Sequence, residues 1–282
     1  MIRPRRPQDA ATVATHYDTL DPFYREIWGE HVHHGYWRTG RESPAQAAVA
    51  LVELVADRLG LTPNQTVCDI GCGYGATGAM LADMHGVFVT GLTLSAVQQA
   101  RAAKRRPARG TLDVHLRDWL ANGFPDASFD RAYAIESTEH MADKARCFTE
   151  AFRVLHPGGR LVVCAWLAAR VPRRWEMRHL LEPICREGRL AGMGNEADYV
   201  GLLREAGFHV ERTEDISASV ARTWSVCLSR SLRRLATDRR YRRFLLHGGA
   251  PDRVFAITLF RLLLAYRTGA MRYAVLTVAK PD

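Results

Sequence analysis

Short apolar runs alternate with amphipathic segments through the first two thirds of the chain. The runs are rich in β-branched residues and bounded by glycine or polar clusters, which is typical of buried strands. Between them, apolar residues recur at three- and four-residue spacing, which indicates helices. Strands that alternate with helices predict an α/β fold with a Rossmann-like, doubly wound, mostly parallel sheet. The predicted strands cover 66–70, 87–92, 112–116, 129–135 and 159–166, and the predicted helices include 44–61, 95–105 and 144–155.

The last third of the chain follows a different pattern. No clean strand occurs in 170–194, whereas 196–208 has helical spacing and 209–217 has the character of a strand. Folds of this class bind ligands at the carboxyl edge of the sheet, and we expect helical insertions to cover that edge. We therefore expect a single domain, 1–282, made of an N-terminal helical lid (1–42), a core (43–169), helical cap insertions (170–195 and 218–268) and a last strand (271–279).

The composition argues against several classes of protein. A chain of 282 residues with 47% hydrophobic residues can bury a full core. It shows neither an apolar run of membrane-spanning length nor a signal peptide, so we expect a cytoplasmic protein. The six cysteines form no CxxC pair, which predicts buried thiols and no metal site. Arginines concentrate near the ends and in 229–243; we interpret this stretch as a solvated helix face, expect no nucleic-acid partner, and leave open a loose association with a membrane surface.

A glycine-rich loop, "DIGCGYGATG", follows the first predicted strand. Gly71, Gly73 and Ala76 match the GxGxxG/A pattern, in which glycines let the backbone approach a ligand at a helix N-terminus. A nicotinamide enzyme needs an acidic residue at the end of the second strand, and this chain has Thr93 there. Asp69 precedes the glycines and suits an ammonium group. The pattern therefore favours S-adenosylmethionine (SAM), whose adenosine has polar candidates in Thr93, Ser95, Gln98, Asp118 and Trp119.

The motifs "VCDIGCGYGATG", "VTGLTLSAVQQA", "RDW", "SFDRAYAIESTEHM" and "RVLHPGGRLVVCAW" resemble those of class I SAM-dependent methyltransferases. The variant "GLTLS" with its following Gln is similar to the subset that contains tocopherol methyltransferases, sarcosine/dimethylglycine methyltransferases and cyclopropane-fatty-acid synthases. Within this subset, the opening "YDTLDPFYREIWGEHVHHGYW" and the closing "YRTGAMRYAVLTVAKP" most resemble the γ-tocopherol methyltransferase-like group. The resemblance implies SAM as methyl donor and S-adenosylhomocysteine as product. The implied cofactor-binding residues are Tyr17, Asp69, Gly71, Cys72, Gly73, Thr93, Leu94, Gln98, Asp118, Trp119 and Glu136.

The segment 23–37, "FYREIWGEHVHHGYW", is rich in aromatic residues and histidine. A metal site is disfavoured because no matching set of ligands occurs elsewhere at recognisable spacing. The family resemblance implies that this segment closes over the methyl donor, where aromatic rings suit a sulfonium cation; plain core packing is the alternative. Substrate-binding residues are expected here and in the first insertion, namely Trp28, His33, His34, Tyr36, Trp37, Trp175 and Met177.

Methyl transfer is an in-line displacement, so the enzyme positions the acceptor and, where needed, removes a proton. In "IESTEHM" we expect His140 to be the catalytic base, with Glu139 and Glu136 behind it; His33 or His34 is the alternative, as is a plain helix-start role for His140. The resemblance implies a lipophilic acceptor, prenylated, isoprenoid or aromatic, methylated on carbon in specialised metabolism. N- or O-methylation of an amine, alkaloid or phenol, RNA methylation, and SAM binding without turnover remain alternatives.

Overall fold

The computed structural model describes residues 1–246 and 255–282, and a seven-stranded sheet lies at its centre. The strand order is β3-β2-β1-β4-β5-β7-β6, and β7 runs antiparallel to β5 and β6 while the other pairs are parallel. This order confirms the predicted Rossmann-like, mostly parallel sheet. The strands are β1 (Thr66–Ile70), β2 (Phe88–Thr93), β3 (Thr111–Leu116), β4 (Phe129–Ile135), β5 (Leu155–Ala168), β6 (His209–Asp215) and β7 (Met271–Ala279).

Helices cover both faces of the sheet. On one face the strands pack against Phe148 and Tyr199, and on the other against Leu51 and Leu81, so the apolar runs are buried on both sides. The helices are α1 (Ala10–Ile27), α2 (Pro44–Leu59), α3 (Ala76–His85), α4 (Ala96–Ala102), α5 (Lys144–Val154), α6 (Arg174–Glu176), α7 (Glu182–Glu187), α8 (Glu196–Glu205), α9 (Ser217–Val220), α10 (Arg222–Thr237), α11 (Arg239–Leu246) and α12 (Phe255–Thr268).

The first insertion is a helix interrupted by one wide turn. Between α6 and α7, Met177–Leu181 forms a π-helical turn in which the N–H of Glu182 bonds to the carbonyl of Met177. Pro183 follows directly, and its missing N–H cannot close a regular α-helical turn. Strand β5 is longer than predicted because it pairs with β4 from Leu155 and with β7 as far as Ala168.

The lid and the two insertions share a hydrophobic cluster of their own. It joins Ile27 of α1, Ile184 of α7, Trp224 of α10, Leu262 of α12 and Met271 of β7. Residues 247–254 of the predicted insertion 218–268 lie outside the described part of the chain. Among the helices that the structure describes, none has the length and apolar character to span a membrane.

Candidate active site

A cavity of about 160 Å³ opens where β1, β2 and β4 end. Gly71 and Gly73 adopt positive φ angles of +87° and +52° at its floor. A Cβ at Gly71 would lie 2.4 Å from the Cβ of Ser137, whereas a Cβ at Gly73 would meet nothing closer than 3.9 Å. Gly71 is thus required by the fold, and the space above Gly73 is left free for a ligand to approach the backbone.

Nine of the eleven predicted cofactor residues line this cavity of about 160 Å³, which we call the donor cavity, and two lie behind it. Asp69 is 2% exposed and accepts a hydrogen bond from Tyr133 (2.6 Å), and burial raises its pKa to about 7. The sulfur of Cys72 packs against Gly91. The lining residues among the eleven are Tyr17, Gly71, Gly73, Thr93, Leu94, Gln98, Asp118, Trp119 and Glu136.

Helix α1 closes the donor cavity from above and contributes residues that the sequence did not point to. Gln8, Asp9, Ala10 and Val13 join Tyr17 in the lining. The N-cap signal of Asp9, whose side chain accepts from the N–H of Thr12, marks the start of this helix and is readable in the sequence.

Two carboxylates of α1 fasten the lid to the core. Asp18 accepts from the Ser95 hydroxyl and from the N–H of Val97 (3.3 Å) at the start of α4. Asp21 accepts from Tyr74 (2.9 Å) and Arg101 (2.9 Å). Asp18 therefore places an acidic group beside the end of β2, where the strand itself carries Thr93. This acidic group belongs to the lid and not to the strand.

A second, smaller cavity of about 50 Å³ adjoins the first under the cap. It shares Tyr17, Val32, Glu136 and His140 with the donor cavity, so these four residues form the wall between the two. The rest of its lining is mainly aromatic and aliphatic, and its polar groups are the carboxylate of Glu139 and the hydroxyls of Tyr24 and Thr258. These residues are Tyr24, Trp28, Glu139, Trp166, Ile184, Gly188, Leu190, Trp224, Thr258 and Leu262.

We call this second cavity the acceptor cavity. Of the seven predicted substrate-binding residues, Trp28 lines it. His33 donates from Nδ1 to the carbonyl of His34 (2.8 Å), and Trp37 donates to the carbonyl of Glu42 (3.1 Å). Tyr36 packs on the core beside α2. These rings form the support of the lid, as the core-packing alternative supposed.

Trp175 and Met177 do not reach the acceptor cavity. They lie on the outer surface of the first insertion, 41% and 39% exposed. The inward face of this insertion is taken by Glu176, Leu180 and Leu181, which are buried. In this structure Trp175 and Met177 therefore lie away from the acceptor cavity, and the prediction that they contact the acceptor stays a prediction.

Glu136 is a buried carboxylate saturated with donors. At the carboxyl end of β4, with φ +54°, it accepts from the N–H (2.7 Å) and Nδ1 (3.0 Å) of His34, from Tyr273 (2.8 Å) and from the indole of Trp166 (2.8 Å). Burial alone would raise its pKa, but the charge and hydrogen bonds of His34 lower the pKa to about 2. Such a group is a fixed negative charge and a poor proton acceptor.

His140 lies in the wall with both ring nitrogens engaged. Its Nδ1 lies 3.0 Å from the carbonyl of Arg189, and its Nε2 lies 3.0 Å from the hydroxyl of Tyr17. A carbonyl only accepts, so Nδ1 carries the proton and Nε2 accepts from Tyr17. Burial lowers the pKa of His140 to about 4, which keeps the imidazole neutral at pH 7. This is the state that a general base requires.

Glu139 is the second titratable group at the acceptor cavity. It is 1% exposed and accepts from the N–H of Trp166 and from Thr138 (3.3 Å). Burial raises its pKa to about 7. Lys144, whose pKa burial lowers, donates to the carbonyls of Glu139 (3.4 Å) and Met141 (3.0 Å), on either side of His140.

No metal centre accompanies these groups in the part of the chain that the structure describes: no three His, Cys, Asp or Glu side chains there are placed to hold an ion. The cysteines are free and buried. The functional groups of the site are its carboxylates, its imidazole and its aromatic rings.

The sequence profile of the mycolic acid cyclopropane synthetase family matches residues 5–244, and the chain belongs to this family. The 27-O-demethylrifamycin SV methyltransferase of Amycolatopsis mediterranei (strain S699) is 33% identical over 276 residues, covering 94% of this chain and 96% of that protein. The chloroplastic tocopherol O-methyltransferase of Arabidopsis thaliana is 28% identical over 290 residues, covering 95% and 82%.

Solved structures share the fold over nearly the whole chain. Mycolic acid cyclopropane synthase CmaA1, complexed with S-adenosylhomocysteine (SAH) and CTAB, superposes with a TM-score of 0.85 at 23% identity, covering 98% of this chain and 99% of that one. The [4+2]-cyclase SpnF superposes with a TM-score of 0.81 at 29% identity, covering 99% and 98%. The chain is a class I SAM-dependent methyltransferase, and the resemblance to the tocopherol methyltransferase and cyclopropane synthase group is confirmed.

Proposed function

We propose that this enzyme methylates a lipophilic small molecule that carries a hydroxyl group, and that the methyl group goes to a carbon activated by that hydroxyl. The observation that carries the proposal is the wall of four residues between a donor cavity at the strand ends and an aromatic acceptor cavity under the cap. A molecule in either cavity contacts Tyr17, Glu136 and His140. The two cavities thus adjoin at these residues, where an acceptor atom could approach the methyl group of the donor directly.

The residues of the donor cavity fit SAM, which supplies a sulfonium-bound methyl group as electrophile. The backbone at Gly73 leaves room for close approach, and Thr93, Gln98 and Asp118 offer polar groups to the nucleoside. The saturated carboxylate of Glu136 places a negative charge beside the cation. Helix α1 keeps water out from above.

The lining of the acceptor cavity suits the apolar body of a ring or isoprenoid acceptor, and because the cavity of about 50 Å³ is smaller than such a molecule, the cap must open further to admit it. Trp28, Trp166 and Trp224 supply flat apolar faces. The buried hydroxyl of Thr258, which donates to Glu187, offers a second polar contact to the acceptor.

Proton removal by Nε2 of His140 accounts for either atom of a phenol-like acceptor. Loss of the hydroxyl proton raises electron density at oxygen and also at the ring carbons conjugated with it, so His140 activates both. On the carbon route, the carbon that takes the methyl group from sulfur also loses its own proton, and the oxygen regains one, so one proton is released in total. O-methylation is therefore the second candidate, and the name of the rifamycin relative favours it. The cyclase with the same fold adds a third outcome, turnover of an acceptor without consumption of SAM.

The experiment is incubation with SAM carrying a ¹³C-labelled methyl group and a panel of prenylated quinols, phenols, macrocyclic polyketides and amines. SAH release with a new ¹³C signal typical of a carbon-bound methyl group supports the proposal, and an oxygen- or nitrogen-bound signal selects the second candidate. Consumption of acceptor with neither label transfer nor SAH release contradicts methyl transfer.

The same proposal includes weak association with an anionic membrane surface, from which a lipophilic acceptor would be drawn, and no nucleic-acid partner. Val171, Ile257 and Phe260 are 85%, 54% and 55% exposed on the cap, and arginines at 173, 174 and 178 flank the first of them. Cosedimentation with vesicles of phosphatidylcholine with and without phosphatidylglycerol tests this; absence of binding to both removes it. The cytoplasmic location stays a prediction.

A further inference from the structure

The segment 188–193, which follows α7, contacts the acceptor cavity, the predicted base and the N-terminus. Gly188 and Leu190 line the acceptor cavity. Between them, Arg189 places its carbonyl 3.0 Å from Nδ1 of His140. Met193 pairs with Ile2 through two backbone hydrogen bonds of 2.7 and 2.8 Å. The segment is therefore held at its far end by the start of the chain.

Arg189 has a backbone conformation that side-chain-bearing residues rarely adopt. Its φ is +56°, in the left-handed region, where the Cβ is crowded. The surrounding hydrogen bonds impose this conformation: the N–H of Leu190 bonds to the carbonyl of Cys185 (2.8 Å), and the N–H of Ala191 bonds to the carbonyl of Glu139 (2.9 Å). A strained backbone conformation of this kind persists only where the surrounding contacts maintain it, and such conformations cluster at functional sites.

The strain turns the Arg189 carbonyl toward His140. With the carbonyl in that place, a proton on Nδ1 is bonded, whereas the other tautomer would set two lone pairs against each other. The turn that carries His140 is fixed as well, since Ala191 and Lys144 hold the carbonyls of Glu139 and Met141. The imidazole is thereby held with the Nε2 lone pair facing Tyr17 and the wall between the cavities.

We infer that Arg189 is the positioning residue for the base, acting through its main-chain carbonyl rather than its side chain. The carbonyl does here what a buried carboxylate does for histidine in hydrolase triads: it selects the tautomer and the ring orientation. The inference rests on the proposed role of His140. If so, the cap over the acceptor cavity, and not only the cofactor-binding core, fixes the tautomer and orientation of the base His140.

The groups that face His140 come from every element around it. Tyr17 and His16 approach from α1, Glu136 and Glu139 from the loop after β4, and Lys144 from α5. Burial lowers the pKa of His140, and the bond to Arg189 opposes that shift. Loss of the bond should release the tautomer and move the acid limb of the rate profile to lower pH.

The test is a pair of substitutions that differ in backbone preference. Arg189→Gly favours the left-handed conformation and removes the side chain, so kcat should stay within about twofold of the parent. Arg189→Val disfavours that conformation, so kcat should fall about 10- to 100-fold, the usual effect of losing an outer-shell partner. The affinity for SAM, measured by calorimetry, should be unchanged in both. ¹⁵N NMR of labelled histidine should show the Nδ1-protonated tautomer in Arg189→Gly and a tautomer mixture in Arg189→Val.

Ala127→Val is the matched control, because Ala127 has φ +50° far from the site and should lower stability without changing kcat or the His140 tautomer. Equal loss of kcat in Arg189→Gly and Arg189→Val would assign the effect to the side chain and overturn the inference. If Arg189→Val does not fold, Arg189→Ala takes its place, with the tautomer spectrum as readout. Near-normal turnover of His140→Ala would refute the base itself, while the spectra still decide whether Arg189 sets the tautomer.

Discussion

The two cavities that meet at His140 are built in different ways. The donor cavity is formed largely by backbone at strand ends, by glycines with positive φ and by side chains within a few residues of those ends, and the lid closes it with residues 8–10, Val13, Tyr17 and Val32. The acceptor cavity is formed by side chains that come from α1, α7, α10 and α12 as well as β5. One side binds through a local backbone motif, and the other through long-range packing.

This difference determines how each side responds to change. A binding motif at strand ends tolerates substitutions around it as long as the backbone conformation is kept. Many different sequences can therefore bind the same cofactor in this way. A cavity made of side chains from separate helices changes shape with each substitution. The cap can therefore alter the acceptor without disturbing the donor, and the wall residues are where the two sides must agree.

Gly73→Val should have the largest effect on binding and confine it to the donor side. A β-branched residue at φ +52° is strained, and its side chain fills the space left for the ligand. The side chain would hold the ligand away from the backbone, so we expect SAM affinity to fall by about 100-fold or more in calorimetry, equivalent to about 2.7 kcal/mol. Gly86→Val, with φ +66° at the end of α3, is the control for strain alone. Unchanged affinity in Gly73→Val would remove the assignment of the donor cavity.

His140→Ala should act at the wall and affect turnover rather than either binding step. General base catalysis contributes about 10²- to 10⁴-fold, so kcat should fall by that range while SAM affinity is kept. His140→Gln retains a hydrogen bond to Tyr17 but no basic nitrogen and should be equally slow. Rapid turnover in both variants would move the role of base to Glu139.

The donor side could be predicted well from the sequence and the acceptor side poorly, and the reason is physical. The positions of Gly71, Thr93, Asp118 and Glu136 follow from strand ends, which apolar runs mark in the sequence. Trp224 and Thr258 reach the acceptor cavity because α10 and α12 pack on α7 through a shared cluster, and their sequences alone do not set that packing. The sequence likewise did not show that Trp175 is exposed on the outer surface of the first insertion.

The acceptor side can be probed with two tryptophans that differ in position. Trp28→Ala removes a ring that lines the acceptor cavity, so the KM of the acceptor should rise about tenfold, equivalent to about 1.4 kcal/mol of binding. Trp175→Ala removes an outward ring and should leave steady-state kinetics with a dissolved acceptor unchanged. Equal effects of the two substitutions would show that the acceptor enters along the outer surface of the first insertion.

The pH dependence of kcat should show the smallest change and separate the two candidate bases at the acceptor cavity, His140 and Glu139. The pKa of His140 is about 4 and that of Glu139 about 7, so a His140 base keeps kcat constant within about twofold from pH 8 to pH 5, whereas a Glu139 base loses activity below pH 7.

The two groups change the stability of the folded enzyme in opposite directions over this pH range. His140 prefers to be neutral when folded, so its contribution is lost as pH falls from about 6.5 toward 4; Glu139 prefers to be protonated, so stability falls as pH rises from about 4.5 toward 7. Initial rates should therefore be taken within the range where thermal unfolding shows a folded enzyme, so that the profile reports the chemistry and not the fold.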